Sequence, residues 1–325
     1  MPGMTPSRDG QPWMPARPRD RDRRGRRAVR RVGVVGIAVA VLVTAAIWTD
    51  TLGAGDRWQH VLDRVDRLIA GPVPVRSSVP TLIVTPPPAS ATLPPTPTPE
   101  PDATPAPTSS PRQAPAREAV DVTIPRDPET VFAHELRNTW CAPAGVQMVL
   151  ALHGRVDTSD AVQRELAARV YEWESYDDSH NGGWGPASMS EALAAYGVPG
   201  YEVRAYETRA DALHGAAIAI QGTGAPVVLL AWRGAHTWIM TGFRADADPA
   251  LFPDAVVSGA YVLDPWYPWV SSIWGASDPP GTFQDDAEMI RNFLPWKRPE
   301  GKYPDRDGRF IILAPTLPLD EAVQG

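Results

Sequence analysis

Apolar and polar residues follow three successive patterns along this chain. A continuous apolar run, Val32–Trp48, carries no charged side chain over seventeen residues. Residues 57–70 then place apolar side chains three and four positions apart, which is the spacing of a short amphipathic helix. From residue 118 onwards, helix-type and strand-type patterns alternate to the end of the chain. That last part is long enough to form one domain with a sizeable core.

The patterns of residues 118–325 predict helices first and mostly strands afterwards. The predicted helices are Ala142–His153, Ser159–Trp173, Ser188–Tyr196, Ala210–Gln221 and Asp285–Phe293. The predicted strands are Val120–Ile124, Tyr201–Tyr206, Val227–Trp232, His236–Arg244, Val256–Leu263 and Arg309–Leu313. This order is typical of an α+β domain with a mostly antiparallel sheet.

Proline separates this domain from the apolar run. Residues 80–117 contain 13 prolines in 38 positions, with no glycine and no aromatic residue. Such a segment cannot bury a core and favours extended polyproline II structure. We therefore expect a disordered, semi-rigid linker between residues 79 and 118.

The apolar run has the features of a transmembrane anchor. Its length is at the lower end of what spans a bilayer. Residues 1–31, before the run, carry ten arginines and three aspartates, which predicts a cytoplasmic N-terminus. A cleaved signal peptide and a buried cytoplasmic helix are the alternatives. Either the anchor or the signal peptide would place the rest of the chain outside the cytoplasm.

These features divide the chain into five segments. They are a basic disordered head (1–31), an anchor (32–49), a juxtamembrane segment (50–79), a linker (80–117) and an α+β domain (118–325). The net charge of −7 combines +7 in the head with −14 in the domain. An acidic domain disfavours nucleic acid as a partner. A single cysteine excludes intramolecular disulfides and multi-cysteine metal sites, and we expect no cofactor and no metal.

That single cysteine, Cys141, directly precedes an apolar helical pattern in the sequence NTWCAPAGVQMVL, residues 138–150. Pro143 would lie in the first turn of this helix, where proline is tolerated. Cys141 is thus expected at a helix N-terminus, where the helix dipole favours a nucleophilic thiolate. The alternative is that Cys141 is a small buried hydrophobic residue.

A histidine and an aspartate follow with strand-type spacing. His236 opens the strand sequence HTWIMTGF, and Asp264 ends the next strand 28 residues later. Neighbouring strands can place the two side chains together, so that the carboxylate orients the imidazole. Cys141, His236 and Asp264 then form a nucleophile, base and orienting group.

The three sequences NTWCAPAGVQMVL, GAHTWIMTGF and VLDPW resemble the Cys, His and Asp motifs of the bacteriocin-processing-type cysteine peptidases, family thirty-nine of the cysteine peptidases. The Gly-rich turn around Trp184, followed by a helix ending in Tyr-Gly, resembles that family's middle segment. The resemblance implies a papain-like fold over roughly residues 125–270. It also implies a Cys141 nucleophile, a His236 base and an Asp264 orienting group.

The sequence departs from this family beside the nucleophile. The family usually has a glutamine five or six residues before the cysteine, where its amide helps to stabilise the oxyanion. This chain has Glu135 and Leu136 at those positions, and Asn138 is the nearest alternative donor. A carboxylate would repel the developing negative charge. Candidates for residues lining the cleft are Trp140, Trp184, Trp238 and Trp266.

Together these features predict a membrane-anchored, extracytoplasmic cysteine peptidase that cleaves a peptide or amide bond through an acyl-enzyme. The expected partners are a peptide or protein substrate and, through residues 32–49, the membrane. One alternative is a catalytically degenerate peptidase fold that acts as a cell-surface binding module. The other is a cell-wall peptidoglycan amidase.

Overall fold

The computed structural model describes residues 79–85, 115–124, 126–173, 184–271, 273, 275–297 and 303–319. All of them belong to one compact unit, Asp63–Gly325. The predicted head and anchor and almost all of the juxtamembrane segment lie outside the described residues, and the anchor stays a prediction. Among the described residues, no helix has both the length and the apolar character needed to span a bilayer.

The helices of the described part of the chain lie between its strands. They are α1 (Pro128–Val131), α2 (Cys141–Leu152), α3 (Asp160–Ala168), α4 (Val170–Trp173), α5 (Pro186–Ala195), α6 (Arg209–Thr223), the helical turn α7 (Ala231–Gly234) and α8 (Asp286–Asn292). The predicted helix over Ser159–Trp173 is interrupted at Arg169, which ends α3. The other predicted helices are present within two residues of their expected bounds.

The strands are β1 (Thr81–Val84), β2 (Val120–Thr123), β3 (Tyr201–Tyr206), β4 (Val227–Leu230), β5 (His236–Ala245), β6 (Val257–Leu263), β7 (Val270–Ser271), β8 (Gly275–Ala276), β9 (Thr282–Asp285) and β10 (Phe310–Pro315). Eight of these described strands form one sheet in the order β1-β3-β10-β4-β5-β6-β9, with β2 also paired to β5. Only β1 and β3 pair in parallel in that sheet. The domain is therefore mixed α/β with a mostly antiparallel sheet, as predicted.

The sheet includes residues that were assigned to the linker. Thr81–Val84 forms β1 and pairs with Val203–Tyr206. At the other end of the linker, Arg117 contacts the carboxylates of Asp246 and Asp254, each at 2.9 Å. Strand β1 was missed because its four residues lie next to a proline-rich stretch. Both ends of the predicted linker thus pack on the domain.

Helix α2 is the element that fixes the position of Cys141. Its residues from Ala142 to Leu152 are all buried. Gly145 lets the helix lie close to β5, since a Cβ added there would be 2.5 Å from Thr237 Cγ2. Because Gly145 lies one turn after Cys141, this close approach holds the N-terminus of α2 against the beginning of β5.

The connection between β4 and β5 is a strained turn. Trp232 and Arg233 have φ angles of 50° and 63°, in the left-handed region that glycine normally occupies. A predicted strand over Val227–Trp232 therefore ends at Leu230. The turn reverses the chain within a few residues, so that β5 begins at His236 beside the strand that precedes it. Strain of this kind costs about 1–3 kcal/mol and is concentrated at functional sites.

Candidate active site

Cys141 lies at the first position of α2, as the sequence predicts. The residue as a whole is partly exposed, and Sγ lies 4.0 Å from the carbonyl oxygen of Ala235, the residue before His236. The thiol and the start of β5 are thus neighbours. The helix begins here because Pro143 suits a first turn and because the apolar residues after it pack into the core.

His236 and Asp264 form a direct, buried pair. His236 Nε2 lies 2.7 Å from Asp264 Oδ1, and the two residues are 2% and 7% exposed. Pairing of Ile239 with Leu263 brings the beginning of β5 next to the end of β6, which explains the spacing of 28 residues. A carboxylate accepts hydrogen bonds, so Nε2 carries a proton and Nδ1 is left to exchange one with a thiol.

The Asp264 carboxylate is held by its own loop. Oδ1 also accepts a hydrogen bond from the backbone N–H of Trp266 at 2.9 Å. Two hydrogen bonds to one oxygen fix the carboxylate orientation, and with it the imidazole plane. The ring of Trp266 stands edge-on to His236 with centroids 6.3 Å apart.

Trp232 is a site residue that the sequence analysis did not identify. Its ring stacks on the His236 imidazole with centroids 4.0 Å apart and an angle of 17°. Its Nε1 donates to Asn292 Oδ1 at 3.1 Å, which anchors the ring to α8. The residue adopts its position through the left-handed turn, and its strand-type sequence neighbours gave no sign of that turn.

Glu135 lies beside the nucleophile. It is fully buried, and one of its carboxylate oxygens, Cys141 Sγ and a ring nitrogen of His236 all lie within 4.8 Å of one another. Residues that stabilise an oxyanion must lie next to the attacking atom. Glu135 lies there, in place of the glutamine that is usual in the resembled family.

The backbone around Glu135 is clamped on both sides. Its N–H donates to the carbonyl of Pro265, next to Asp264, at 2.8 Å. The buried amide of Gln163 accepts from the N–H of Leu136 at 2.7 Å and donates to the carbonyl of His134 at 2.9 Å. These bonds hold Glu135 in place, and its inward orientation does not depend on its own side chain.

The thiol is not activated by its position at the helix end. Burial, together with the charge of Glu135, raises the pKa of Cys141 to about 12. Hydrogen bonds from Thr237 and Ala142 act in the opposite direction but are smaller effects. Desolvation and a neighbouring negative charge therefore outweigh the helix dipole, which the sequence led us to expect would favour the thiolate.

Other predicted residues occupy different surroundings. Trp238 is buried in β5, and Trp140 is partly buried with the Arg137 guanidinium 4.7 Å from its ring. Trp184 packs against Trp173 at 5.2 Å. Asn138 is exposed in the turn before α2, so its role as an oxyanion donor stays a prediction.

The donor atoms of Glu135, Cys141 and His236 are of the kinds that bind transition metals.

The fold and the residues above define a mixed α/β protein of the cysteine-peptidase-like class. The model of the Peptidase_C39 like family matches residues 125–290, about half of the sequence. The chain belongs to the Peptidase_C39 like family, which confirms the resemblance drawn from its three motifs.

A similar solved structure is a double glycine motif protease from an AMS/PCAT transporter in complex with the leader peptide. It shares 17% identity with this chain at a TM-score of 0.30, over 57% of this chain and 91% of that one. None of the curated proteins matches the chain.

Proposed function

We propose that the protein is a thiol hydrolase that cleaves a peptide or amide bond with Cys141 as nucleophile, His236 as base and Asp264 as orienting group. The observation that carries this proposal is the 2.7 Å contact between His236 and Asp264 with Cys141 Sγ beside the same imidazole. Membership of a peptidase-like family supports it.

The reaction begins from a neutral thiol. His236 Nδ1 takes the thiol proton as Cys141 Sγ attacks the carbonyl carbon, so a C–S bond forms and the carbonyl π electrons move to oxygen. Collapse of this intermediate breaks the C–N bond, and the leaving amine takes the proton from Nδ1. Water, deprotonated by the same imidazole, then attacks the thioester carbonyl; the C–S bond breaks, and the imidazolium returns its proton to the sulfur. The products are a carboxylic acid and the regenerated thiol.

Asp264 contributes through orientation and charge. Its bond to Nε2 fixes the tautomer in which Nδ1 is the basic nitrogen, and it stabilises the imidazolium that forms during attack. Burial and the charge of Glu135 raise the pKa of the Cys141 thiol, so proton transfer to His236 accompanies the attack. The rate therefore depends strongly on the precise orientation of His236.

Stabilisation of the oxyanion is weaker with a carboxylate at Glu135 than it would be with an amide at that position. The backbone N–H groups of Cys141 and Ala142, in the first turn of α2, have no acceptor within the helix and can donate to the oxyanion. An ionised Glu135 opposes them, whereas a protonated one donates a hydrogen bond. Loss of one oxyanion donor costs about 10²–10³ in rate in other hydrolases. We expect slow turnover at neutral pH.

The test is cleavage of a peptide library by the purified full-length chain, with mass spectrometry of the products. We expect cleaved peptides and a thioester adduct on Cys141, and neither with Cys141→Ala. Glu129→Gln, an exposed change in α1, is the matched control and keeps the activity. Release of muropeptides from peptidoglycan without cleavage of any peptide would indicate the amidase instead.

A second candidate function, a binding module with a degenerate site, is favoured by Glu135 and the raised thiol pKa. Such a protein would bind peptides without cleaving them, and Cys141→Ser would leave both its binding and its biological function unchanged. Peptide cleavage that is lost in Cys141→Ala rules it out.

The location of this activity is also part of the proposal. The arginine-rich head and the apolar run Val32–Trp48 support an anchor with the domain outside the cytoplasm. Substrates would then be extracytoplasmic peptides or proteins. We expect that protease added to intact cells removes the domain and leaves residues 1–49 protected. A mature protein that begins between residues 46 and 56 and is free in the medium would overturn the anchor.

A further inference from the structure

We propose that Glu135, Cys141 and His236 bind one divalent transition-metal ion of the Zn²⁺ type. The three residues come from different elements: the loop before α2, the first turn of α2 and the beginning of β5. Each offers one donor atom, and the three atoms lie within 4.8 Å of one another. This site was not expected from the sequence, which led us to predict no metal.

The distances fit a metal centre after a small closure. Bonds of about 2.0–2.3 Å from a tetrahedral Zn²⁺ to sulfur, nitrogen and oxygen place ligand atoms about 3.5 Å apart. Separations of up to 4.8 Å therefore have to close by roughly 1 Å at most. Three protein ligands leave the fourth position for water, as in open zinc sites.

The kinds of donor select the metal. A thiolate is a soft ligand, an imidazole is intermediate, and one carboxylate completes the set, which suits Zn²⁺ or Co²⁺ and does not suit Mg²⁺ or Ca²⁺. The charges also balance, because a carboxylate and a thiolate together neutralise a divalent cation. Glu135 is fully buried and His236 is 2% exposed, so a neutral cluster is favoured over separated charges in this environment.

The surroundings of the ligands resemble the supporting shell of a metal site. Asp264 bonds to His236 Nε2 at 2.7 Å, leaving Nδ1 for the metal. Metal-bound histidines commonly hold a carboxylate at the second nitrogen, which fixes their tautomer. On the opposite side, Gln163 and Pro265 fix the backbone of Glu135. Two of the three ligands are therefore already oriented.

Metal binding has a consequence that rests on the proposed function. Cys141 cannot attack a carbonyl while its sulfur is bound to a metal, so metal binding and peptide cleavage exclude each other. An amide at position 135 would favour cleavage, whereas the carboxylate favours the metal. Glu135 is thus the residue that sets the balance between the two states of one site.

The experiment titrates the full-length, metal-depleted chain with Zn²⁺ by calorimetry and with Co²⁺ by absorbance. We expect one ion per chain, a thiolate-to-cobalt charge-transfer band, and protection of Cys141 from iodoacetamide by Zn²⁺. Glu135→Gln, Cys141→Ser and His236→Ala each lower the affinity at least tenfold. Asp264→Asn lowers it about 10–100-fold. Glu129→Gln leaves it unchanged.

Two results overturn the proposal. One is a wild-type chain that gives no cobalt–thiolate band and no protection of Cys141, a measurement that needs no variant to fold. The other is an affinity that stays the same in Glu135→Gln or Cys141→Ser. Peptide cleavage unaffected by saturating Zn²⁺ would reject the metal site while leaving the hydrolase intact. Metal binding by a chain that cleaves nothing would reject the hydrolase alone.

Discussion

The two sides of the site differ in how completely they are prepared for hydrolysis. On the sheet side, His236 and Asp264 are buried, directly bonded and supported by Trp232 and Trp266. On the helix side, Cys141 has a raised pKa and a buried carboxylate as its neighbour. His236 and Asp264 are oriented for base catalysis, whereas ionisation of the Cys141 thiol is disfavoured. The difference arises from burial of the thiol and from the charge of Glu135, and the second cause can be tested from both sides.

Breaking the sheet side has the largest expected effect. Asp264→Asn leaves the volume of the side chain unchanged but removes its charge and permits the wrong tautomer of His236. We expect peptide cleavage to fall by about 10⁴-fold in kcat, as with the corresponding change in a serine triad. The measurement is kcat and KM on a peptide found in the library. Asp305→Asn, on the exposed surface, should match the wild type. A loss below tenfold would contradict the role assigned to Asp264.

Correcting the helix side should raise activity. Glu135→Gln replaces a repelling carboxylate with an amide donor next to the oxyanion. We expect kcat/KM at neutral pH to increase by about 10²–10³-fold. Metal-free protein must be used, since the same change weakens the proposed metal site. Unchanged or lower activity, with a normal circular dichroism spectrum, would mean that Glu135 does not act on the oxyanion.

The same variant should change the pH dependence of thiol reactivity. The pKa of Cys141 is about 12, against an ordinary value of 9.0, so alkylation by iodoacetamide should still be rising at pH 10 in the wild type. Removing the negative charge of Glu135 favours the thiolate and shifts the curve to lower pH. Glu129→Gln should leave the curve in place. A wild-type plateau below pH 9 would contradict the raised pKa.

The raised thiol pKa also affects stability at high pH. The unfolded chain loses the thiol proton near pH 9, while the folded chain keeps it up to about pH 12. The thiol contribution to stability is therefore present below pH 9 and is lost as the pH rises through that window. Cys141→Ala should lose less stability than the wild type between pH 8 and pH 11 in urea unfolding.

The smallest expected effect comes from the contact that joins the two sides. Gly145→Ala places a methyl group 2.5 Å from Thr237 Cγ2, so that either the Thr237 side chain or α2 must shift. We expect a loss of about 1–3 kcal/mol in the free energy of unfolding, together with reduced cleavage. Gly222→Ala in α6 is the control, because its added Cβ meets no atom within 4 Å. Equal stability of the two variants would show that the packing is not tight.

Several features of the site follow from local sequence. Apolar spacing and Pro143 predict where α2 begins, and so place Cys141 at its N-terminus. The strand patterns around His236 and Asp264 predict two neighbouring strands, and these occur as β5 and β6. Such predictions succeed because helix and strand periods depend on nearby residues alone.

Other features depend on contacts between distant parts of the chain. Glu135 lies in an irregular segment, and its orientation is set by Gln163, 28 residues later, and by Pro265 in another loop. The position of Trp232 depends on a left-handed turn. Strand β1 forms because β3 offers it a free edge, although its own neighbours are typical of a linker. The residues adjacent in sequence to Glu135, Trp232 and β1 show no pattern that indicates these distant contacts.

The sequence by itself therefore determined the fold class, the family motifs and the three residues of the candidate triad. Only the tertiary structure decided that Glu135 lies beside Cys141 and that the thiol is harder to ionise than its helix position suggests. The reason is physical: periodicity is a property of adjacent residues, whereas burial and charge at a point are the sum of everything folded around it.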